Sequence, residues 1–273
     1  MHGAARSLTT LEGMTPLCVA LTIAGSDPSG GAGLQADLKT FHRLGVYGEA
    51  VVTLITVQNT RGIRRVEILD PGLVAEQIEA VITDIPPQAA KIGALGNQAV
   101  VAAVAKAAAA FQFPLIVDPV MLGKDGTALL DAAARHAFTE KLLPHAFLLT
   151  PNLPEAAELA GFPVDGRDSM ARAAERLIAL GASNVLVKGG HLSGEPVDLL
   201  LTSDGTLREY PATRIATRHT HGTGCTYSAA IAAELAKGLE LTDAVGKAKA
   251  FVTEAIRTNP QLGSGCGPLN HFA

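Results

Sequence analysis

A cysteine stands among small residues in the segment HGTGCT at 221–226, immediately before a predicted helix over 227–237. Unpaired N–H groups at a helix N-terminus bind phosphate or developing negative charge, and the same field lowers the pKa of a cysteine thiol. Cys225 is therefore a candidate proton acceptor. A covalent nucleophile paired with a nearby histidine such as His221, or an inert packed thiol, are alternatives that the pattern leaves open.

An amide, a carboxylate and a lysine follow two other predicted strands. Asn152 and Glu155 open a predicted helix, where the amide caps the helix and the carboxylate complements its dipole. The same oxygens would hold a hydrated Mg²⁺ that bridges to nucleotide phosphates. Lys188 stands beside a pair of glycines, from where its ammonium can reach a phosphate. Capping and phosphate chemistry are both compatible with these residues.

The segment GSDPSGGAGLQADLK at 25–39 follows the first predicted strand. Its residues 31–36 match the dinucleotide pattern GxGxxG/A, but the next strand ends in Gln58 instead of the acidic residue that this pattern requires. A phosphate-binding P-loop also fails, because Gly31 and Ala32 replace Lys and Ser/Thr. A tight turn that admits a ligand ring beside the backbone is the better interpretation, with a dinucleotide oxidoreductase as the alternative from another enzyme class.

Two polar residues near this turn are candidates for ring recognition. Gln58 can both donate and accept hydrogen bonds, which suits the ring nitrogen and exocyclic amine of a heterocycle. Asp37 lies one helical turn beyond Gly33. Capping or edge roles for Gln58 and Asp37 remain equally compatible with the pattern.

The elements that must position these residues alternate between short apolar runs and longer helical segments, which predicts a mostly parallel sheet covered by helices on both faces. Two alternating runs around the turn at 203–205 predict an antiparallel hairpin at one edge of the sheet. The predicted strands are 17–24, 50–57, 89–93, 114–118, 146–150 and 185–188. Because ligands bind outside the carboxyl ends of such strands, the loops that follow them should converge on one cleft.

The whole chain has 273 residues, 48% of them hydrophobic, and a formal net charge of −4. This balance gives no reason to expect nucleic acid or a membrane surface as a partner. Three widely spaced cysteines indicate neither a disulfide framework nor a metal cluster, so a cytoplasmic protein is expected. We expect residues 1–16 to be a disordered lead-in and residues 17–273 to form a single domain without a membrane segment.

Taken in order, GSDPSGGAGLQADLKTF, VQNTRG, KIGALG, DPVMLGKDG, TPNLPEA, VKGGHL and THGTGCT resemble the hydroxymethylpyrimidine/phosphomethylpyrimidine kinases of thiamine biosynthesis, in the ribokinase-like superfamily. The resemblance runs from about Leu17 to the C-terminus. It implies a three-layer α/β/α fold, transfer of the ATP γ-phosphoryl group to the hydroxymethyl of 4-amino-5-hydroxymethyl-2-methylpyrimidine and then to its monophosphate, a requirement for Mg²⁺, and a homodimer.

The same resemblance implies a role for each matching residue. Catalysis falls to Gly222, Thr223, Gly224 and Cys225, substrate binding to Gly25, Asp37, Gln58, Ala94 and Met121, ATP binding to Asn152, Lys188 and Thr220, and metal binding to Asp118 and Glu155. Sugar kinases of the superfamily use an Asp base where this chain has Cys225. A thiolate favoured by the helix dipole would accept the proton of the substrate hydroxyl without a covalent intermediate.

Ala94 stands where many family members carry Met, which implies a roomier pocket. Close relatives phosphorylate pyridoxal or pyridoxine, so a pyridoxal kinase is the alternative within the same fold. A pyrimidine-sensing domain without turnover is the alternative outside enzymes.

Overall fold

The computed structural model describes residues 17–273, and the expected lead-in 1–16 lies outside the described residues. A nine-stranded sheet forms the centre of the structure. Its strands are β1 (Val19–Ser26), β2 (Tyr47–Asn59), β3 (Gly62–Ile68), β4 (Ala89–Ile92), β5 (Leu115–Val117), β6 (Leu148–Leu149), β7 (Asn184–Val187), β8 (Val197–Leu201) and β9 (Leu207–Pro211). They lie in the order β3-β2-β1-β4-β5-β6-β7-β8-β9. Strands β2, β1, β4, β5, β6 and β7 are parallel, and β3, β8 and β9 are antiparallel to their neighbours.

Helices cover both faces of this sheet. They are α1 (Gly33–Arg43), α2 (Pro71–Asp84), α3 (Gln98–Ala108), α4 (Ala132–Ala137), α5 (Leu153–Ala160), α6 (Arg167–Ala179), α7 (Thr223–Ala236) and α8 (Leu241–Arg257), with a π turn at Phe138–Leu142 and a 3₁₀ turn at Leu143–His145. Buried side chains of α1, α7 and α8 pack on one face, and those of α2 to α6 pack on the other. The three-layer α/β/α prediction is therefore confirmed, including the antiparallel edge hairpin β8–β9.

The central strands contain almost only apolar side chains because both of their faces are covered. All four residues of β4 and all three residues of β5 are buried, and β1 is buried as far as Gly25. Each strand that the sequence predicted is present within a few residues. The sheet thus delivers the loops after β1, β4, β5, β6 and β7 to one edge, as the parallel pattern required.

Two elements differ from the prediction. Strand β3 was not predicted, because it is a half-exposed edge strand in which Arg64, Arg65 and Glu67 are exposed. Helix α7 begins at Thr223 and not at residue 227, so the glycine-rich segment belongs to its first turn. Glycine disfavours helix interiors but is tolerated in a first turn, which explains the late predicted start.

Within residues 17–273, no helix is both long enough and apolar enough to cross a lipid bilayer.

Candidate active site

The first turn of α7 forms the floor of the candidate site. Gly222 caps the helix with a φ of 79°, and a Cβ there would overlap the carbonyl oxygen of Gly31. Thr223, Gly224 and Cys225 follow as the first three helical residues, whose N–H groups have no partner inside the helix. The Thr223 hydroxyl donates to the Thr220 carbonyl at 2.8 Å, which fixes the turn. This arrangement presents backbone N–H groups and a thiol together, as an anion-binding turn requires.

A buried ion pair lies against this turn. Lys188 follows β7, and its Nζ is 2.6 Å from Oδ1 of Asp118, which follows β5. Thr150 at the end of β6 donates to the same carboxylate oxygen at 3.2 Å. A Cβ placed on Gly224 would lie 3.2 Å from Lys188 Nζ and 3.4 Å from Asp118 Oδ2. The ammonium and the carboxylate therefore face the start of α7, and a side chain at 224 would press against both.

Asn152 and Glu155 form a capping box at the start of α5. The backbone N–H of Glu155 donates to Asn152 Oδ1 at 2.9 Å, and the backbone N–H of Asn152 donates to Glu155 Oε2 at 2.8 Å. The structure thus confirms that these residues cap the helix, and the capping role is compatible with Mg²⁺ binding by the same side chains. Burial raises the pKa of the Glu155 carboxyl to about 7, although Lys188 lowers it. Near neutral pH this carboxyl is therefore partly protonated, and a cation that binds it must displace the proton.

The fit of Mg²⁺ rests on Asp118 and Glu155, since no group of three or more His, Cys, Asp or Glu side chains in residues 17–273 could hold a metal ion by itself. Mg²⁺ commonly binds one or two carboxylates and completes its shell with water and substrate phosphates. Both carboxyls affect the charge of Lys188, so they lie in the same electrostatic environment. The two residues suit a metal that arrives with a nucleotide.

The expectation of a lowered pKa at Cys225 is wrong. Burial raises the pKa of its thiol, and the negative charges of Asp37 and Asp118 act in the same direction. The Lys91 ammonium and a hydrogen bond from the Gly33 amide oppose the shift without overcoming it. At neutral pH the thiol is therefore protonated, and the helix dipole alone does not make a thiolate.

The histidines do not supply a partner for a nucleophilic thiol. His221 Nε2 bonds to Asp27 Oδ2 at 2.8 Å, and no hydrogen bond joins Cys225 to a histidine in the described part of the chain. Asp27 also accepts bonds from the amides of Ser29, Gly31 and Ala32 and so organises the whole loop after β1. Sequence reasoning missed Asp27, although its place within GSDPSGGAG at a strand end was the available signal.

Asp37 does not lie in the wall of the cleft. Its side chain has no exposed surface, and Oδ2 accepts bonds from Lys91 Nζ at 2.8 Å and Thr22 Oγ1 at 2.6 Å. The predicted direct contact between Asp37 and substrate is therefore corrected, because a ligand in the cleft cannot reach a fully covered carboxylate. Lys91 was missed as well, and the signal was a lone charge in the otherwise apolar strand AAKI.

The other substrate candidates lie near the loops after β1, β2, β4 and β5. Gly25 is buried where β1 ends, with no room for a Cβ beside Leu54. Gln58 is half-buried near the end of β2, and within residues 17–273 its side chain has no hydrogen-bond partner. The Ala94 carbonyl accepts a bond from Thr53 at 2.6 Å, and its methyl remains half-exposed. The direct contacts of these residues with a substrate remain predictions.

Two further candidates are held by their neighbours. The backbone amide of Met121 lowers the pKa of the Glu155 carboxyl, so the loop after β5 lies beside the start of α5. The Thr220 hydroxyl lies 3.7 Å from the Cys266 sulfur, so the C-terminal segment supports the turn before α7. The structure thus joins Asp118, Lys188 and Glu155 to the α7 turn.

A three-layer α/β/α fold whose strand-end loops gather a lysine, two carboxylates and an open helix N-terminus has the parts that phosphoryl transfer from a nucleotide requires, as in the class of small-molecule kinases. The sequence over residues 27–270 matches the phosphomethylpyrimidine kinase family. The chain is 50% identical to the hydroxymethylpyrimidine/phosphomethylpyrimidine kinase of Rhizobium meliloti (strain 1021), with 93% of this chain and 97% of the relative covered.

Two solved structures are also similar. The phosphomethylpyrimidine kinase of Clostridium difficile 630 is 44% identical with a TM-score of 0.78, covering 88% of this chain and 99% of its own. The pyridoxal kinase of Staphylococcus aureus in complex with AMP-PCP and pyridoxal is 34% identical with a TM-score of 0.86, covering 95% of both chains. The chain belongs to the phosphomethylpyrimidine kinase family and is a phosphotransferase.

Proposed function

We propose that this chain transfers the γ-phosphoryl group of ATP to the hydroxymethyl group of 4-amino-5-hydroxymethyl-2-methylpyrimidine, and then phosphorylates the resulting monophosphate to the diphosphate. Family membership supports the substrate class. The observation that carries the chemistry is the Lys188–Asp118 pair facing Gly224 in the first turn of α7. A cation and free N–H groups on one side of a cleft stabilise the negative charge that a transferring phosphoryl group spreads over its oxygens.

Lys188 binds the phosphates in this proposal. Burial opposes its charge, but Asp118 and Glu155 outweigh burial and raise the pKa of the ammonium. Lys188 therefore stays charged throughout the working pH range. Its anchoring by Asp118 also holds the ammonium in one position, which lowers the entropy lost when phosphate binds.

Asp118 and Glu155 would hold Mg²⁺, and Asn152 orients Glu155 through the capping box. When bound, Mg²⁺ would neutralise part of the phosphate charge. Thr220 supports the nucleotide side of the α7 turn. Glu155 would lose its proton when it holds the metal, because a direct charge interaction would then offset the burial cost of the carboxylate.

Cys225 accepts the proton of the substrate hydroxyl. In a loose transition state the hydroxyl becomes acidic only as the bond to phosphorus forms, so a base is needed late. Since the thiol is protonated at neutral pH, the rate of turnover should increase as pH rises toward its pKa. Gly222, Thr223 and Gly224 bind the phosphoryl oxygens through their amides.

The pyrimidine would lie between the ends of β1, β2, β4 and β5. Gln58 pairs with the ring edge, Gly25 lets the ring approach the backbone, and Ala94 and Met121 supply apolar contacts. Asp37 supports this pocket from beneath through Thr22 and Lys91.

A pyridoxal kinase is the second candidate. The similarity to a pyridoxal kinase with a TM-score of 0.86 and the small side chain of Ala94 favour it. An assay of ATP consumption that compares hydroxymethylpyrimidine, its monophosphate and pyridoxal separates the two. We expect turnover with both pyrimidines and a lower kcat/KM with pyridoxal, and the reverse order would establish the second candidate. No turnover with any of the three would revive the sensing domain.

We also propose a homodimer, a single domain over residues 17–273 and a cytoplasmic location, with no nucleic-acid or membrane partner. Light scattering of the eluting protein tests the dimer, and limited proteolysis tests the domain. A mass of one chain would refute the dimer.

A further inference from the structure

Asp198 and Lys249 form a buried ion pair that has no part in the proposed chemistry. Lys249 Nζ of α8 lies 2.6 Å from Asp198 Oδ2 of β8, and the Asp198 side chain is 3% exposed. The ammonium also stands over the ring of Tyr227 in α7, 5.8 Å from the ring centroid. Replacement of a buried ion pair by apolar residues of similar volume is often neutral for stability. Stability alone is therefore a poor explanation of this pair.

The other carboxylate oxygen of Asp198 holds the backbone beside Lys188. The antiparallel ladder between β7 and β8 ends at the pair Val187 and Leu199, so Asp198 stands opposite Lys188 at the next position. There the β8 side chain replaces the ladder, because the backbone N–H of Gly189 donates to Asp198 Oδ1 at 2.9 Å. A buried carboxylate thus accepts the N–H of the residue that directly follows Lys188.

The backbone on both sides of the Lys188 Cα is fixed in this way. Its own N–H donates to the Pro151 carbonyl at 2.8 Å, on the side of β6, and the next N–H is held by Asp198 on the side of β8. Gly189 is buried, and a Cβ there would overlap the carbonyl oxygen of Val197. Because the backbone sets the direction in which a side chain leaves it, these contacts direct the Lys188 side chain.

We infer that Asp198 is a positioning residue, which fixes the backbone beside Lys188 so that the Lys188 ammonium faces the first turn of α7, and that Lys249 is its counter-ion. The inference rests on the proposed phosphate-binding role of Lys188. Misplacement of a positioned group by about 1 Å can cost ~10²-fold in rate, so a hydrogen bond behind the ammonium affects how well phosphates bind.

A set of double variants separates this role from charge and from stability. Asp198→Asn/Lys249→Met keeps an oxygen that can accept the Gly189 N–H, whereas Asp198→Leu/Lys249→Met removes it. Asp198→Ala/Lys249→Met removes the same oxygen with a smaller side chain. All three remove both charges together, so none leaves a buried charge unpaired.

The matched control is Glu234→Gln/Lys237→Met. This pair also lies 2.6 Å apart and has a buried carboxylate, but it stands at the other end of α7 from the site. It therefore reports what the loss of a comparable ion pair does to the whole protein.

The experiment measures the Kd of AMP-PCP with Mg²⁺ by calorimetry, together with hydrogen exchange of the peptide that contains Gly189. In the leucine and alanine variants we expect faster exchange at Gly189 and a Kd raised about 10-fold or more. The asparagine variant and the control should keep the natural Kd, even where their melting temperatures fall. Rescue by asparagine is the readout that a merely stabilising role would not give.

Three results would overturn the inference. The first is an equal Kd in the asparagine variant and in a folded variant without the oxygen. The second is a Kd raised as much in a folded asparagine variant, because the hydrogen bond to Gly189 would then not be the cause. The third is failure of both the leucine and alanine variants to fold beside a normal asparagine variant, which would make Asp198 a residue of stability alone.

Lys188→Gln tests the proposed function separately, and its amide can still donate to Asp118. A natural Kd for AMP-PCP in this variant would remove Lys188 from phosphate binding. A raised Kd in Lys188→Gln beside a natural Kd in the variants without the oxygen would uphold Lys188 and refute only the role of Asp198.

Discussion

Replacement of Cys225 by alanine separates the catalytic role of the thiol from a packing role. Cys225 is the third residue of α7, and its side chain is half-buried between the helix start and Gly33. Alanine keeps the helix and removes one sulfur atom, so the folding free energy should fall by about 1 kcal/mol or less. Loss of a general base typically costs ~10²–10⁴-fold in rate, or about 3–5 kcal/mol of activation free energy. The two effects differ enough to be distinguished.

The assay measures kcat at saturating Mg·ATP and hydroxymethylpyrimidine, together with the melting temperature. We expect a folded Cys225→Ala variant with kcat reduced by at least ~10². Because burial raises the thiol pKa, kcat of the natural protein should increase with pH above neutrality, and this increase should disappear with the thiol. Cys225→Asp should recover part of the lost rate, since a carboxylate can also accept a proton.

A covalent mechanism gives a different result. It would leave a phosphorylated cysteine after mixing with ATP, which intact-protein mass spectrometry detects, and we expect no such adduct. A Cys225→Ala variant with near-natural kcat and a lowered melting temperature would refute the reasoning and return the thiol to a packing role.

Four further predictions concern the rest of the site. Glu155→Gln should weaken turnover and shift the Mg²⁺ titration to higher concentration, because a neutral amide attracts the cation less. An unchanged titration would show that Glu155 only caps helix α5. Binding of Mg·ATP near pH 6.5 should release protons in the natural protein but not in Glu155→Gln, as seen by calorimetry in buffers of different ionisation enthalpy, because the cation lowers a pKa of about 7. Gln58→Leu should weaken pyrimidine binding by about 1–3 kcal/mol and leave ATP affinity unchanged, and equal losses for both ligands would place Gln58 outside the pocket. Gly222→Ala should cost ~1–2 kcal/mol for its left-handed backbone alone and more for the overlap with Gly31, so an unchanged melting temperature would contradict the described turn.

The sequence specified the sheet because burial on both faces leaves a continuous apolar run, which is a strong signal even in strands as short as β5. It also placed Asp118, Lys188 and Cys225 at strand or helix ends, where the fold brings them together. Edge strand β3 has no such signal, since only one of its faces is covered. The start of α7 was predicted too late because glycines such as Gly222 and Gly224 are typical of loops. Only the tertiary structure shows that they are required by the close approach of Gly31 and Lys188.

The roles of Asp37 and Lys91 needed the tertiary structure for a different reason. A sequence identifies an ionisable residue but not its burial, and burial is the largest influence on both groups. Asp37 appeared to be a ligand contact because its neighbours in sequence form the strand-end turn. One helical turn is enough to move its carboxylate out of the cleft and onto Lys91.

Burial also determines the charge states of the ionisable groups in the site. It raises the pKa of both acids, so that at neutral pH Cys225 keeps its proton and Glu155 is partly protonated. It opposes the charge of Lys188 and Lys91, but each is held by a carboxylate and remains positive. The cleft therefore carries fixed cations next to acids whose negative charge is reduced, which suits a polyphosphate ligand. The phosphates of a nucleotide would pair with these cations, and Glu155 would lose its proton where it holds Mg²⁺.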